Sequence, residues 1–301
     1  MGEILLTGIP GDTPIGAMAA FGVLRLCEEK LGFAGPRLGW RRAGGSWRPL
    51  LVLSEDLQAE GLAARLASSL TDCGERHDLR WTEQVKATPG PALHDCAESA
   101  AEDELRWLCS FGCELVLDEG KLRPTPFDMS VARQKFPADI RKLTEGLRDD
   151  EDAINEALFG PWRYEDDQHS LGWDPSTVKL GAFTEEAPTK MKNTGVRAAV
   201  WLAYESLPLF PCFYADGGLG VRGFKRGKRN RYEFRWPVWQ TPITLRTLRS
   251  LLASAELMSE AEELGPILER GVAAVYASEK FKPNKYMVSF RPAELLAEAA
   301  A

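Results

Sequence analysis

The sequence predicts an α+β protein whose sheets, mixed or antiparallel, are built from several β-hairpins and packed by helices. Alternating runs joined by short Gly-containing turns occur around Ala43-Gly44-Gly45, Asp118–Gly120 and Lys225–Asn230, and such pairs read as hairpins. Between them lie segments with leucine at helical spacing, such as Leu57, Leu62, Leu66 and Leu70. Hydrophobic content of 44% and charged content of 27% over 301 residues are those of a soluble globular protein able to bury a large core without a metal or disulfide staple.

Taken in order, Ile4–Thr7 is a short buried-strand run and Gly8–Thr13, GIPGDT, a turn. Thr13 is placed to cap a helix, with Pro14 at its first position, where the missing N–H costs nothing. Ile15–Leu31 has helical patterning, and its first half is apolar all round, so that half is expected to be buried. Gly16 and Gly22 lower its helix propensity, and close approach of another backbone would explain them. The run GIPGDTPIG resembles a phosphate loop but lacks the Gly-Lys-Ser/Thr ending, so it reads as a turn feeding a core helix.

Arg37–Arg42 and Ser46–Leu53 flank the Gly-Gly turn, with Trp40 and Trp47 able to face each other across it. Ser54 caps a helix through about Leu70. Leu79–Val85 reads as a strand, Thr88–Pro91 as a loop, and Ala97–Cys109 as a helix acidic on one face. Glu114–Leu117 and Lys121–Pro124 form the next hairpin. Ser130 starts a helical stretch that Pro137 interrupts, and Ala138–Gly146 and Asp150–Leu158 continue as two helices. The charged connector Arg148–Asp152 divides the chain into residues 1–147 and 148–301, as two α+β regions or one continuous domain.

Ser170–Thr177 is a tight turn, and Pro188–Met191 enters a buried helix reaching Tyr204. Pro208–Tyr214 is a buried run that becomes strand, followed by a turn, ADGGLG. After the basic hairpin, Ile243–Ala255 is a helix and Glu256–Leu264 continues it until Gly265–Pro266. Ala273–Lys280 fits strand or helix, Lys285–Phe290 is a strand, and Pro292 opens a short C-terminal helix. No repeat of 20–50 residues is present.

The basic hairpin is where the charge gathers. Between Val221 and Trp239, Arg222, Lys225, Arg226, Lys228, Arg229, Arg231 and Arg235 stand against one acid, Glu233, in a chain of net charge −7. Two strands are expected here, Val221–Phe224 and Arg231–Trp236, with Pro237 ending the second. A polyanion explains this concentration, because phosphates repay neutralisation by releasing counterions. These seven cations are therefore the candidate nucleic-acid-binding residues. Tyr232, Phe234 and Trp236 alternate onto one face of the strand, as core residues or as stacking groups. Arg37, Arg41, Arg42 and Arg48 form a smaller cluster on the earlier hairpin.

Six scattered cysteines and three histidines, His77, His94 and His169, fall in no ligand spacing. Acid pairs near Arg148–Asp152 and at Asp166-Asp167 read as solvated loops in preference to a divalent-metal site. No G-x-S-x-G, H-E-x-x-H or dinucleotide fingerprint is present. No catalytic residue, metal ligand or cofactor is therefore assigned, which argues against an enzyme. Buried thiols suit a reducing cytoplasm, and neither a signal peptide nor a bilayer-spanning run is present. Two other functions fit the residues: a metal-dependent nuclease or other phosphoryl-transfer enzyme using loop carboxylates, and a protein-interaction subunit whose basic tip meets an acidic partner.

Three segments, in order, resemble one group of proteins. They are DTPIGAMAAFGVLRLCEE at residues 12–29, LGWDP at 171–175 with TGVRAAVWLAYESLPLFP at 194–211, and FRWPVWQTPITLRTLRSLLA at 234–253. They look like CRISPR-associated proteins of the type I-G systems (formerly I-U). In that group, large-subunit and accessory proteins begin with a Pro-Gly turn and a Gly-Leu-Leu helix, and carry Trp-Asp-Pro, "LA…LPLFP" and "WP-x-W" segments. The group's large subunits are much longer than this chain. The resemblance implies a large-subunit-like or accessory effector subunit of an RNA-guided DNA-targeting complex in antiviral defence. Its partners would be DNA, guide RNA and the other effector subunits, and base pairing, not protein, would read the target.

Overall fold

The computed structural model describes residues 2–70, 81–131, 134–148, 150–166, 170–177, 194–228, 231–284 and 287–300. Among them are nine helices and thirteen strands, and the class is α+β. Every strand pair is antiparallel, so of the expected mixed or antiparallel sheets the second holds.

Strand β1 (Gly2–Leu5) leads through the Pro-Gly turn into helix α1 (Pro14–Glu29). The Thr13 hydroxyl accepts the Gly16 N–H at 3.2 Å, and Pro14 opens the first turn. Every residue from Pro14 to Cys27 is buried, as its apolar first half requires, and the burial extends to Arg25. β2 (Arg37–Ala43) and β3 (Ser46–Leu53) form a hairpin. Gly44 and Gly45 take φ of 61° and 82°, the left-handed pair that a tight two-residue hairpin turn demands. Trp40 lies opposite Pro49 and Trp47 opposite Arg42, so the two tryptophans are diagonal neighbours and do not face each other directly. They enclose Gly11, where a Cβ would stand 2.5 Å from the Trp40 ring and 2.9 Å from Trp47 Cβ.

Helix α2 is Ala59–Ser68. The strand expected at Leu79–Val85 begins outside the described residues; Val85–Ala87 is a 3₁₀ turn. The expected helix at Ala97–Cys109 is two helices, α3 (Gly90–Ser99) and α4 (Glu102–Phe111). Glu104 reaches back to accept the Ala101 N–H at 2.9 Å. With three acids in the first turn, this stabilises a new N-terminus in mid-segment. β4 (Leu117–Asp118) and β5 (Lys121–Leu122) make a minimal hairpin.

Residues 130, 131, 134 and 135 are not helical, and Pro137 opens helix α5 (Phe136–Leu147) where it was expected to interrupt one. Proline in the first turn sacrifices no intrahelical bond. Asp150 caps α6 (Glu151–Phe159) through the Ala153 N–H, at 2.9 Å. The helix entry expected at Pro188–Met191 lies outside the described residues, but α7 (Arg197–Tyr204) is present and buried from Ala198 on.

A separate hairpin follows, β6 (Cys212–Ala215) and β7 (Gly218–Val221), turned by Asp216 and Gly217 at φ of 46° and 72°. β8 (Phe224–Arg226) and β9 (Tyr232–Trp239) form the basic hairpin. β9 runs through Pro237, which was expected to end it. The Arg235 N–H bonds Gly223 O at 2.8 Å on the β8 side. The two-residue period points Pro237 N to that same side, past the end of β8, where no donor is needed.

β10 (Ile243–Thr244) joins the first sheet, and Thr244 caps α8 (Leu245–Leu252). Where a continued helix was expected, 255–263 holds two 3₁₀ turns before α9 (Gly265–Glu269). β11 (Val272–Asn284), β12 (Met287–Phe290) and β13 (Glu294–Glu298) complete the chain. The expected C-terminal helix is β13, because the edge of β11 at Ala274–Ala277 is open and pairing there overrides helix propensity.

One sheet has the order β1-β3-β2-β10, and the other β12-β11-β9-β8 with β13 also on β11. α1 is flanked by both and by α7. Phe21 of α1 meets Trp40 of β2 edge-on at 6.4 Å and stacks on Trp239 of β9 at 6.1 Å. Against α7 a Cβ at Gly22 would stand 1.8 Å from Leu202 O. The buried core is continuous across the Arg148–Asp152 connector.

Lys280 of β11 turns its ammonium inward to donate to Pro126 O at 2.8 Å and Asp128 O at 2.9 Å. Burial pushes its pKa down from 10.5 to about 8, against the opposing pull of Asp128. Between these pH values the unfolded chain holds the proton and the native chain does not, so stability rises with pH there. Below pH 8 both states are charged and the full burial cost stands. The urea midpoint of the native protein should therefore climb from pH 8 to pH 10 relative to that of Lys280→Met. Parallel curves for the two proteins would show that the ammonium is solvated.

Candidate nucleic-acid interface

The hairpin pairs Phe224 with Phe234, Lys225 with Glu233 and Arg226 with Tyr232. Its loop closes where the Gly227 N–H bonds Arg231 O at 2.9 Å. Alternation sends Tyr232, Phe234 and Trp236 into the core. The Tyr232 hydroxyl donates to Leu219 O and the Trp236 indole to Gly11 O, each at 2.9 Å. Of their two expected roles, the core one is what the fold uses.

The seven cations separate into distinct environments. Arg235 is 3% exposed, because the 3₁₀ segment after α8 covers this face of β9. Its guanidinium donates to Glu233 at 2.6 Å, to Ser259 O at 2.5 Å and to Leu257 O at 3.2 Å, so it is a structural group whose charge is already taken up within the fold. Lys225 pairs with Glu260 at 2.7 Å, and that ammonium holds the Glu260 carboxyl below its usual range. Arg226 lies over β7 and donates to Asp216 O at 2.8 Å. A Cβ at Gly218 would stand 2.2 Å from its Nη1, so the glycine makes room for the guanidinium.

Lys228 and Arg231 remain outward. Arg231 is 71% exposed, with Glu279 at 3.8 Å. Arg229 lies outside the described residues. Arg222, at the other end of β8, faces a different cleft. Lys225, Lys228, Arg231 and Arg235 line a groove of about 640 Å³ with Glu233, Glu260 and Glu279. Folding thus brings two more carboxylates to the hairpin, Glu260 from between the two 3₁₀ turns and Glu279 from β11, and the local field is weaker than the segment alone carries. The acidic run Glu256–Glu263 was the available signal for Glu260; for Glu279 there was none.

Arg41 and Arg42 of the earlier basic cluster are also engaged. Arg41 pairs with Glu3 at 3.3 Å, and Arg42 pairs with Glu298 and lies over the Trp47 ring at 4.6 Å. At the N-terminal turn the Gly8 N–H bonds Leu158 O at 2.9 Å and the Gly11 N–H bonds Trp47 O at 2.8 Å. These amides are used by the fold and are not offered to a phosphate, in keeping with a turn feeding a core helix.

Asp150 and Asp166 are both taken up by Arg197. Among the described residues no three His, Cys, Asp or Glu side chains stand together as metal ligands. Cys27 and Cys212 are buried free thiols, and burial pushes the pKa of Cys27 up to about 12, which leaves it unreactive. No helix among the described residues is long and apolar enough to cross a membrane.

Sequence reasoning missed two exposed aromatics. Phe213 and Tyr214, in a run expected to be buried, are 48% and 55% exposed. The Asp-Gly dipeptide at 216–217 was the signal for the hairpin that presents them. No protein-family model matches the chain, and no curated protein matches it.

Proposed function

We propose that this chain is a non-catalytic nucleic-acid-binding subunit of an RNA-guided DNA-targeting complex of the CRISPR type I kind, holding phosphate backbone or displaced strand at the β8–β9 tip. The observation that carries the reading is the outward pair Lys228 and Arg231 at a groove of about 640 Å³. The placement in a CRISPR effector complex rests on the three resembling segments. Because Lys225, Arg226 and Arg235 have partners within the fold, the tip makes few phosphate contacts. The strand is thus held in position by the tip while base pairing carries the sequence information.

The test is Lys228→Ala with Arg231→Ala, in the complex co-expressed with its other subunits and guide RNA. Binding to duplex and single-stranded DNA is followed across a salt series. Affinity should fall about equally for all sequences, and the salt slope should drop by about 1 for each lost contact. Folding should hardly change, since exposed charges contribute little to stability. Unchanged affinity and slope in the folded variant would remove nucleic acid from the tip and favour an acidic protein partner.

A further inference from the structure

A second cationic cleft opens at the opposite end of β8. Arg222 sits between β7 and β8, next to Gly223 with φ of 80°. The Arg222 N–H bonds Pro211 O at 3.2 Å, which extends the β6–β7 register of Cys212 with Val221 and Phe213 with Gly220. Directly paired residues share a face and alternate residues return to it. Arg222 and Pro211 therefore lie on the same face of the ribbon as Phe213 and Gly220. Arg222, Arg249 of α8 and Arg106 of α4, with Glu102, Pro208 and Pro211, line a cleft of about 410 Å³.

The counter-charges here pass Arg222 by: Arg25 pairs with Glu205 at 2.5 Å and Arg106 with Asp103 at 3.7 Å. Glu29 of α1 is shared by Arg25 at 2.8 Å, Arg106 at 3.2 Å and Arg249. Arg106 also holds the exposed Glu102 at 2.6 Å. Half-buried Arg222 makes no side-chain hydrogen bond or ion pair among the described residues. Burial and the neighbouring Arg249 guanidinium both push its pKa down. Two guanidiniums beside each other, one lacking any counter-charge, are unfavourable until an oxyanion enters between them.

Phe213 indicates what carries that oxyanion. Its ring lies against Gly220, where a Cβ would stand 2.5 Å from it, yet nearly half of the side chain stays open. Diagonal neighbours on an antiparallel ribbon are about 7–8 Å apart, a spacing that suits the phosphate and base of one nucleotide. We propose that this cleft binds a nucleotide phosphate, with Arg222 and Arg249 holding its oxygens and Phe213 stacking on the base. Stacking on an exposed aromatic is tolerant of base identity. The site is separate from the β8–β9 tip, and it rests on the nucleic-acid reading only for the source of the phosphate.

The test titrates the full chain with inorganic phosphate, a 5′-deoxynucleoside monophosphate and acetate, read by calorimetry. The monophosphate should bind saturably and inorganic phosphate should displace it. Arg222→Gln should weaken both by tenfold or more at unchanged melting temperature, since the side chain has no hydrogen-bond or ion-pair partner to lose among the described residues. Lys228→Ala with Arg231→Ala should leave both unchanged. Phe213→Ala should weaken the monophosphate alone. If Arg222→Gln fails to fold, Arg222→Lys, which keeps the charge and loses the fork, should still show weaker binding.

No saturable binding, equal affinity in a folded Arg222 variant, or displacement by acetate as good as by phosphate would overturn the site. An unchanged monophosphate affinity in Phe213→Ala would overturn the nucleotide and leave free phosphate as the ligand. Loss of nucleic-acid binding on changing the tip, with monophosphate binding intact, separates the two sites. Intact nucleic-acid binding in the tip variant with a defective Arg222→Gln would sink the tip reading and not this one.

Discussion

Gly22→Leu should lower the melting temperature by at least about 5 °C, a loss of about 3 kcal/mol or more. A Cβ at this position would stand 1.8 Å from Leu202 O and 2.9 Å from its carbonyl carbon. The obstacle is backbone, so no rotamer change relieves it, and α1 and α7 must move apart. Moving them opens a core that is otherwise packed on every side of α1, and dense interiors tolerate this badly. Gly146→Ala in α5 is the matched comparison. It is solvent-exposed with nothing within 4 Å of its Cβ position, so alanine should stabilise by about 0.5–1 kcal/mol. A Gly22→Leu protein that melts within a degree or two of the native one would show that the helices do not touch there.

Gly22 also illustrates which features were legible in the residues. A glycine inside the apolar half of a helix has no local use, so it pointed to a close neighbour, and α7 is that neighbour. Thr13-Pro14 announced the helix start in the same local way, as did Gly44-Gly45 the first hairpin. Each of these is decided by steric or hydrogen-bonding demands within a few residues. β13 and the course of β9 through Pro237 were not legible, because each depends on the edge that a distant strand leaves open. The α3–α4 break was legible in principle: Glu104 marks a helix start, but the surrounding alanines and leucines mask it.

The basic hairpin was legible as a hairpin and as a collection of charges, not as an electrostatic surface. Lys225 and Arg235 look equivalent to Lys228 and Arg231 in the sequence. The fold distinguishes them by laying Glu260 and the carbonyls of residues 257 and 259 against the first pair. Arg222 belongs to the same charge run yet faces α4 and α8, because the left-handed Gly223 turns the chain between β7 and β8. Counting charge along a segment thus finds the cations and cannot tell which of them are already neutralised.

Glu205→Ala should destabilise the protein by about 3–5 kcal/mol, because it leaves Arg25 buried without its principal counter-charge. Arg25 is 2% exposed and Glu205 fully buried, with Nη2 and Oε2 2.5 Å apart. Arg25 Nε also donates to the Glu205 carbonyl, and the guanidinium lies over the Trp107 ring at 5.0 Å. Gly22 and Arg25 are one turn apart on α1, as Leu202 and Glu205 are at the end of α7, so the close approach at the glycine brings the charges within reach. Replacing both partners by apolar residues, Arg25→Met with Glu205→Leu, should recover most of the loss, since a buried ion pair is seldom worth more than good apolar packing. Acid titration supplies a second readout. Burial raises the Glu29 pKa, but Arg25 and Arg249 outweigh it and hold the carboxyl below 4.5. Its stabilising contribution is present above the unfolded pKa and is lost as pH falls through the lower folded value. Arg25→Met should shrink that acid-dependent part of stability, leaving Arg249 and Arg106 to hold Glu29. Equal stability of Glu205→Ala and the native protein, or an apolar double variant no better than either single one, would show that water or another group satisfies Arg25.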